Sequence, residues 1–435
     1  MATTNTAITQ DASTTRVGID AVALAAPVLT LLVVAIIRKG AFFRPDIVVT
    51  PALTLALALS VPQVRDWAGD HLGALAAGVI GTAWWIGDAE LSHHSIDSWR
   101  LPAAWLCLAC GYGCARSLSA AARRVALLGT AVVGDALAIA GLTLVGVRST
   151  FWTLQDQRSL RFSGPFTYPS AVGLFLVISL IAGTELLATA TILRRLVNGM
   201  RAITVLGIVA TDSRGAVVGL GVALCFRGIR RELGTAVVVA AIGAPVLLIG
   251  QRTHASHLLV VAAVIIAAGL AQIPDGVVQR VVRFAALPAV CVLGWLLVTQ
   301  HHAVSGFDAS WTERGHILRG AATVFSTRPL FGAGPDPSFG AHTLTGQAGI
   351  AYFTHNEPVE ILISVGVVGA VVLAAGAVVV ARALVAGRGL LAVPVLASVG
   401  AAGLVDFVWH FPALGLATGI VAGASGLRRA SNVAP

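Results

Sequence analysis

The sequence predicts an all-α, polytopic membrane bundle of about twelve to fourteen transmembrane helices, on span-length grounds, with a long extracytoplasmic loop that carries short helices. Three observations lead there. Of 435 residues, 57% are hydrophobic and only 11% charged, with a mean hydropathy of +0.86, whereas soluble domains carry about 25% charged residues. Apolar stretches of the roughly 17 to 20 residues needed to cross a hydrocarbon core recur along the chain, rich in the Ala and Gly that let helices pack closely. Arginines cluster between alternate apolar stretches, as the positive-inside rule expects of cytoplasmic loops.

Taken in order, apolar segments fall near 18–37, 47–63, 72–90, 101–118, 125–147, 169–193, 196–211, 214–226, 235–250, 258–273, 284–300, 359–381, 389–408 and 410–427. The pair over 196–226 also reads as one broken helix. This divides the chain into a disordered cytoplasmic tail at 1–17, a transmembrane bundle at 18–300, an extracytoplasmic loop at 301–358, C-terminal transmembrane helices at 359–427 and a cytoplasmic tail at 428–435. The tail at 1–17 lacks the cationic start and cleavage pattern of a secretory signal.

Arg116, Arg123 and Arg124, Arg194 and Arg195, Arg227, Arg230 and Arg231, Arg280 and Arg283, Arg382 and Arg388, and Arg428 and Arg429 mark the cytoplasmic side. The loops at 148–168, 211–214, 251–257 and 301–358 then face outward. Arg38 and Lys39 also fall outside, against the rule. Trp84, Trp85, Trp152 and Trp409 sit near outer helix ends, where interfacial aromatics are favoured.

The net charge of +9 belongs to these loops and is no sign of nucleic-acid binding. The five cysteines, Cys107, Cys110, Cys114, Cys225 and Cys291, lie in apolar segments and form no disulfide framework. Cys107, Cys110 and Cys114 share a helix face and read as packing residues or, less simply, as a metal site without His or carboxylate near them. His93, His94 and Asp97 match no ligand spacing, so no metal site and no cofactor is expected. GAGPDP at 332–337 lacks the strand and Lys-Ser/Thr of a phosphate loop and reads as a turn.

Polar residues without a packing reason gather in four outward places. RSTFWTLQDQRSLRFSGPFTYPS at 148–170 carries Arg148, Arg158 and Arg161, then Tyr168, with Pro169 starting a helix and Ser170 in its first turn. Thr211-Asp212-Ser213-Arg214 interrupts two apolar segments; Arg214 either pairs with Asp212 or serves function, the default for charges at membrane depth. Residues 301–366 hold five of the eleven His (His301, His302, His316, His342, His355) and Arg314, Arg319 and Arg328. WTERGHILRGAA at 311–322 has helical spacing and carries Arg314 and Arg319. His355 and Asn356 stand at the mouth of the following span, where a His suits proton transfer. Asp406 and His410, four apart, are expected to share a helix face, either orienting substrate or capping. Within the membrane, Asp135 is either a proton relay or a neutral, hydrogen-bonded group.

Arginines that hold phosphate bidentately beside a His that deprotonates a hydroxyl suit a lipid-linked phosphate donor attacked by an alcohol. A transporter or flippase of a lipid-linked or small anionic substrate is the alternative, but it predicts ionisable groups near the midplane and related halves. A structural subunit of an envelope assembly is a third reading.

SGPFTYPSAVG at 163–173, TDSRGAVVGL at 211–220, the spacing from Arg314 to Pro335 and FTHNEPVEILISVGVVG at 353–369 together resemble the O-antigen ligase and polymerase superfamily of bacterial membrane glycosyltransferases, over about 160–370. Pro169-Ser170 departs from the Pro-Asn of many relatives. The resemblance implies a metal-independent, inverting glycosyltransferase of the C type in the bacterial cytoplasmic membrane, its site facing outward. It implies a polyprenyl-diphosphate-linked glycan donor, a glycan, glycolipid or protein acceptor, membrane lipid around the chain, and no nucleic acid. It further implies His355 as general base, with Arg214 and Arg314 on the diphosphate. Arg161, Tyr168, Ser170, Ser213, Arg319, Asn356, Asp406 and His410 are the expected substrate-binding residues around them.

Overall fold

The computed structural model describes residues 5–43, 45–61, 64, 76, 79–83, 99–156, 159–185, 191–251, 256–271, 288–289, 291–292, 295, 308–335, 337–342, 348–351, 354–386 and 390–425. At 5–19, 156, 159, 191–192, 256, 308–314, 341–342, 348–351 and 383–386 it describes the backbone alone. His93, His94, Asp97, Trp84, Trp85 and most of the segments expected at 72–90 and 284–300 lie outside these residues.

The architecture is an all-α membrane bundle. Its helices are α1 (Asn5–Ile37), α2 (Asp46–Ser60), α3 (Arg100–Ser117), α4 (Ala120–Gly146), α5 (Pro169–Gly183), α6 (Thr191–Ala210), α7 (Arg214–Cys225), α8 (Arg227–Gly250), α9 (Ser256–Leu270), α10 (Asp308–Thr327), α11 (Glu357–Ala386), α12 (Ala392–Gly403) and α13 (Pro412–Ala424). Two antiparallel hairpins complete it, β1 (Thr153–Asp156) with β2 (Ser159–Phe162) and β3 (Phe339–His342) with β4 (Ala348–Ala351). Among the described residues, Asp20–Ile37, Ala120–Gly146, Arg227–Gly250 and Glu357–Arg382 are long and apolar enough to cross a membrane.

Local chemistry sets the boundaries. Pro169 and Pro412 open α5 and α13, where their missing N–H costs no helical bond. Ser119 and Ser213 cap α4 and α7 by accepting the N–H groups of Ala122 and Ala216. Several expectations need correcting. Helix α1 begins at Asn5 rather than near 18, because nothing in NTAITQDASTTRV, which has neither Gly nor Pro, stops it. The span expected at 169–193 ends at Gly183, and Arg194 and Arg195 lie in the first turns of α6 instead of in a loop. Long arginine stems tolerate such positions by reaching outward along the helix. The expected break within 196–226 does occur, between Ala210 and Arg214.

The main core joins α1 to α9, α12 and α13 through buried Leu, Val, Ala and Phe side chains. Its closest contact is between α3 and α13. A Cβ added at Gly415 would lie 2.0 Å from the Ala104 carbonyl oxygen, and one at Gly419 2.2 Å from that of Leu108. The small-residue stripe thus allows backbone-to-backbone approach, the usual packing mode where lipid removes the hydrophobic drive.

Helix α11 is broken at Gly366 (φ +66°, ψ −174°). The turn at 329–334 fills the break: Ala333 and Gly334 donate to the Ile363 and Ser364 carbonyls at 2.9 Å, while Val367 and Val368 donate to those of Pro329 and Leu330. Helix α10 packs beside this joint, with Ile317, Ala321 and Phe339 buried against Ile363.

Candidate functional site

The polar segments singled out in the sequence converge where the N-termini of α5, α7, α11 and α13 meet. Asp406, 5% exposed, is the shared partner of Tyr168, Ser170 and His355. It lies in the connection from α12 to α13, and its Oδ1 also accepts the Phe407 N–H at 2.9 Å. The Tyr168 hydroxyl donates to Oδ1 and the Ser170 hydroxyl to Oδ2. His355 Nδ1 stands 3.4 Å from Oδ1 and 3.5 Å from the Tyr168 hydroxyl. The His355 side chain is 34% exposed, so one face of the imidazole is open while Nδ1 is engaged.

Electrostatics follow from that geometry. Burial by itself would raise the Asp406 carboxyl, but the hydrogen bond and charge of His355 and the hydroxyls of Ser170 and Tyr168 outweigh it. Its pKa therefore lies below the ordinary carboxylate value. Burial, then the charge and hydrogen bond of Asp406, push the Tyr168 phenol well above its usual range. Tyr168 accordingly stays protonated and donates.

His355 is held by its neighbours in sequence. Its backbone has φ +54°, a left-handed conformation that costs a non-glycine residue about 1–2 kcal/mol. Asn356 Nδ2 donates to the Leu404 carbonyl at 2.6 Å, and its Oδ1 caps α11 by accepting the Val359 N–H at 3.0 Å. Glu360 Oε2 accepts the Thr354 N–H at 2.8 Å. Glu357 Oε1 accepts the Trp409 N–H at 2.6 Å, and His410 Nδ1 lies 3.2 Å from Glu357 Oε2. The residues flanking His355 thus fasten it to both sides of Asp406. Aromatic rings close the floor: Phe407 stands 4.5 Å from Tyr168 and 5.4 Å from His355, centroid to centroid.

The Thr211-Asp212-Ser213-Arg214 knot abuts the same place. A Cβ added at Gly215 would stand 3.5 Å from Asp406 Cβ, and one at Gly173 of α5 2.8 Å from the Thr211 hydroxyl. Arg214 is half-buried as the first residue of α7. Asp212, at φ +51°, is met by Arg161: Nε donates to the Thr211 carbonyl at 3.2 Å, Nη2 to that of Asp212 at 2.9 Å, and Nε is 3.9 Å from Asp212 Oδ2. Gln251 Nε2 donates to the carbonyls of Leu160 and Ala210 at 2.9 Å each. It ties hairpin β1–β2 to the end of α6, a role no sequence motif signals.

Several expected substrate contacts are placed as builders of the site. Ser213 caps α7, Arg161 clamps the knot, and both ends of the Asn356 amide are used in holding the loops. His410, 1% exposed, faces Glu357 rather than an open surface. The shared helix face expected of Asp406 and His410 does not form, because α12 ends at Gly403 and α13 begins only at Pro412. Arg319 is exposed on α10, its Nε donating to the Gly315 carbonyl. Arg314 lies on the same helix, and its side chain is outside the described residues. Asp135 accepts a hydrogen bond from Thr204. Cys107, Cys110 and Cys114 are buried on α3. Among the described residues no group of three His, Cys, Asp or Glu is placed to hold a metal ion.

The chain is thus an all-α membrane bundle with an Asp-His pair at converging helix ends and the Arg214 and Arg161 segments beside it. Residues 200–374 match the model of the O-antigen ligase family, and over that stretch the chain is similar to O-antigen ligases. The match covers the last part of α6, α7 to α10, His355 and α11 as far as residue 374, past the break at Gly366. No curated protein matches the chain. That similarity supports a membrane glycosyltransferase-like ligase or polymerase.

Proposed function

We propose that the protein transfers a glycan from a polyprenyl diphosphate carrier to an acceptor hydroxyl at the outer face of the bacterial cytoplasmic membrane. The observation that carries this reading is the Asp406–His355 pair, with Nδ1 at 3.4 Å from the carboxylate. A carboxylate on Nδ1 keeps the proton there and leaves Nε2 as the basic nitrogen. In the proposed step, Nε2 of His355 takes the acceptor proton, the acceptor oxygen attacks the anomeric carbon, and the bond from that carbon to the diphosphate breaks with inversion. The electron pair leaves on the diphosphate.

Arg214 and Arg314 neutralise that leaving group, and the N-terminus of α7 adds its dipole. Guanidinium groups supply the positive charge through bidentate contacts to the diphosphate oxygens. Arg319, on the same helix as Arg314, extends the cationic surface toward the glycan or its carrier. Tyr168, Ser170 and Asp406 hold the base, while Arg161, Ser213, Asn356 and His410 shape the loops around the substrates. The acceptor is a glycan, a glycolipid or a protein.

The test is transfer from a radiolabelled polyprenyl-diphosphate glycan by purified protein in detergent without added metal, against a panel of acceptors. Wild type is expected to form product while His355→Ala binds donor and forms none. A folded wild type that binds donor and transfers to no acceptor would instead favour a transporter, to be tested by flux in liposomes.

A further inference from the structure

The turn at 329–334 spends polar backbone atoms on α11 and leaves two large apolar side chains outside. The carbonyls of Pro329 and Leu330 accept from Val367 and Val368, the N–H groups of Ala333 and Gly334 donate to Ile363 and Ser364, and Gly332 donates to the Arg328 carbonyl at 2.9 Å. Leu330 and Phe331 are 57% and 59% exposed, and the proposed transfer step does not use them.

This bonding fixes the depth at which the turn sits. From Ile361 to Ala381 α11 has no charged residue, about the 20 residues that a helix needs to cross hydrocarbon, and Glu357–Arg382 is one of the apolar helices long enough to do so. Ile363, Ser364, Val367 and Val368 lie near the start of that run, so the turn bonded to them lies at the edge of the hydrocarbon. Helix α11 also shows which of its sides meets lipid. Val365 and Leu373 are buried with Leu101 of α3. Val367, Val371 and Val378 are 43%, 63% and 51% exposed, and their spacing places them on one stripe of the helix. Leu330 lies at the head of that stripe, since its carbonyl accepts the Val368 N–H at 3.1 Å.

We propose that Leu330 and Phe331 form a wedge seated among the acyl chains at the edge of the bilayer, and that this wedge holds α10 against the membrane surface. The occupant is lipid rather than a second protein, because the surface continues a membrane-facing stripe of valines and offers side chains without a polar atom. Arg328, exposed just before Pro329, has a stem long enough to return its charge to the headgroups. Ile317 and Ala321 seat α10 on the same joint, buried with Ile363, while Arg319, Thr323 and Ser326 on its other face are exposed. The wedge thus keeps the apolar side of α10 on the joint and its polar side toward water.

The experiment places single nitroxide labels at Leu330→Cys, Val371→Cys and Thr323→Cys, in a full-length chain whose exposed Cys225 and Cys291 are replaced by Ala, in phosphatidylcholine nanodiscs. Collisions of each label with oxygen, which concentrates in hydrocarbon, and with a water-soluble nickel chelate are measured. The Val371 label is expected to meet oxygen and the Thr323 label nickel. The Leu330 label is expected to match Val371 and to lose most of the nickel collisions seen at Thr323. A Leu330 label that meets nickel as Thr323 does faces water, and one that meets neither reagent is covered by protein; either result overturns the proposal. A second measurement uses the unsubstituted chain. Phosphatidylcholine with a diazirine in the upper part of one acyl chain is expected to label the peptide containing 329–331, and labelling of the α11 stripe without that peptide also overturns the wedge. Neither readout needs turnover, so the wedge is decided whether or not the chain transfers a glycan.

Discussion

Glu357 and His410 face each other with Oε2 and Nδ1 3.2 Å apart and with neither side chain reaching solvent, at 0% and 1% exposure. The pair joins the first turn of α11, two residues after His355, to the segment four residues after Asp406. It sets the distance between His355 and Asp406, the two halves of the proposed catalytic pair. Breaking a buried pair by removing one partner typically costs about 3–5 kcal/mol, because the other is left uncompensated. Glu357→Ala is therefore expected to lower the melting temperature in detergent sharply and abolish transfer. Glu357→Gln keeps an acceptor for the Trp409 N–H and should melt closer to wild type. Equal melting of the two variants would show that the carboxylate's bonds do not hold this joint.

Asp406→Asn should leave the fold recognisable but reduce transfer by about a hundredfold or more, the usual scale for a misdirected proton-transfer group. The pH dependence has a definite sign. The Asp406 pKa is depressed in the folded chain, so its stabilisation is complete above the unfolded value of about 3.9. That stabilisation is lost as pH falls through the lower folded value. The melting difference between wild type and Asp406→Asn is expected to hold from neutral pH to about pH 5 and to shrink below about pH 4. A gap that narrows between pH 7 and 5 would assign the effect to another group.

Arg214→Lys and Arg314→Lys should each impair transfer although charge is kept, because an ammonium cannot reproduce the planar guanidinium fork. The loss is expected in donor binding and in turnover together, unlike His355→Ala, which spares binding. Steady-state kinetics with a titrated donor separate these outcomes, and full activity in Arg314→Lys would remove Arg314 from the site.

Much of this was legible in the chain because polar residues in apolar surroundings need partners. Thr211-Asp212-Ser213-Arg214 announced the break between α6 and α7, and the SGPFTYPS and FTHNEP segments are the ones that meet at the candidate site. What local pattern cannot report is which distant group supplies the partner. Tyr168 and Asp406 are 238 residues apart, and Arg161 meets carbonyl groups 50 and 51 positions away. Asp406 and His410 misled for a related reason: four-residue spacing implies one face only inside a helix, and Gly403 and Pro412 bound a loop there. The two hairpins escaped notice because four-residue strands are too short to show an alternating pattern.

The turn at 329–334 and the broken helix α11 exchange the hydrogen bonds that an intact helix would make internally, and this imposes glycine at two places. Gly366 combines φ +66° with ψ −174°, a region essentially restricted to glycine, and an added Cβ would lie 2.3 Å from the Leu330 carbonyl oxygen. Gly332 has φ +78°, and its added Cβ would lie 2.1 Å from the Ser364 carbonyl oxygen. Unpaired backbone groups are costly at membrane depth, so a break is sustained only where another segment satisfies it. Gly366→Ala must either adopt the strained conformation, at about 1–3 kcal/mol, or push the turn away and strand the four bonds that cross the joint. Because Ile363 also packs under α10, the displacement should reach the helix that carries Arg314 and Arg319. Gly400→Ala in α12 is the control, since nothing lies within 4 Å of its added Cβ, and it should be neutral or stabilising by up to about 1 kcal/mol. Thermal unfolding of the two variants in detergent checks this: Gly366→Ala is expected to melt well below wild type, and if it melts with Gly400→Ala the joint between turn and helix does not bear on stability.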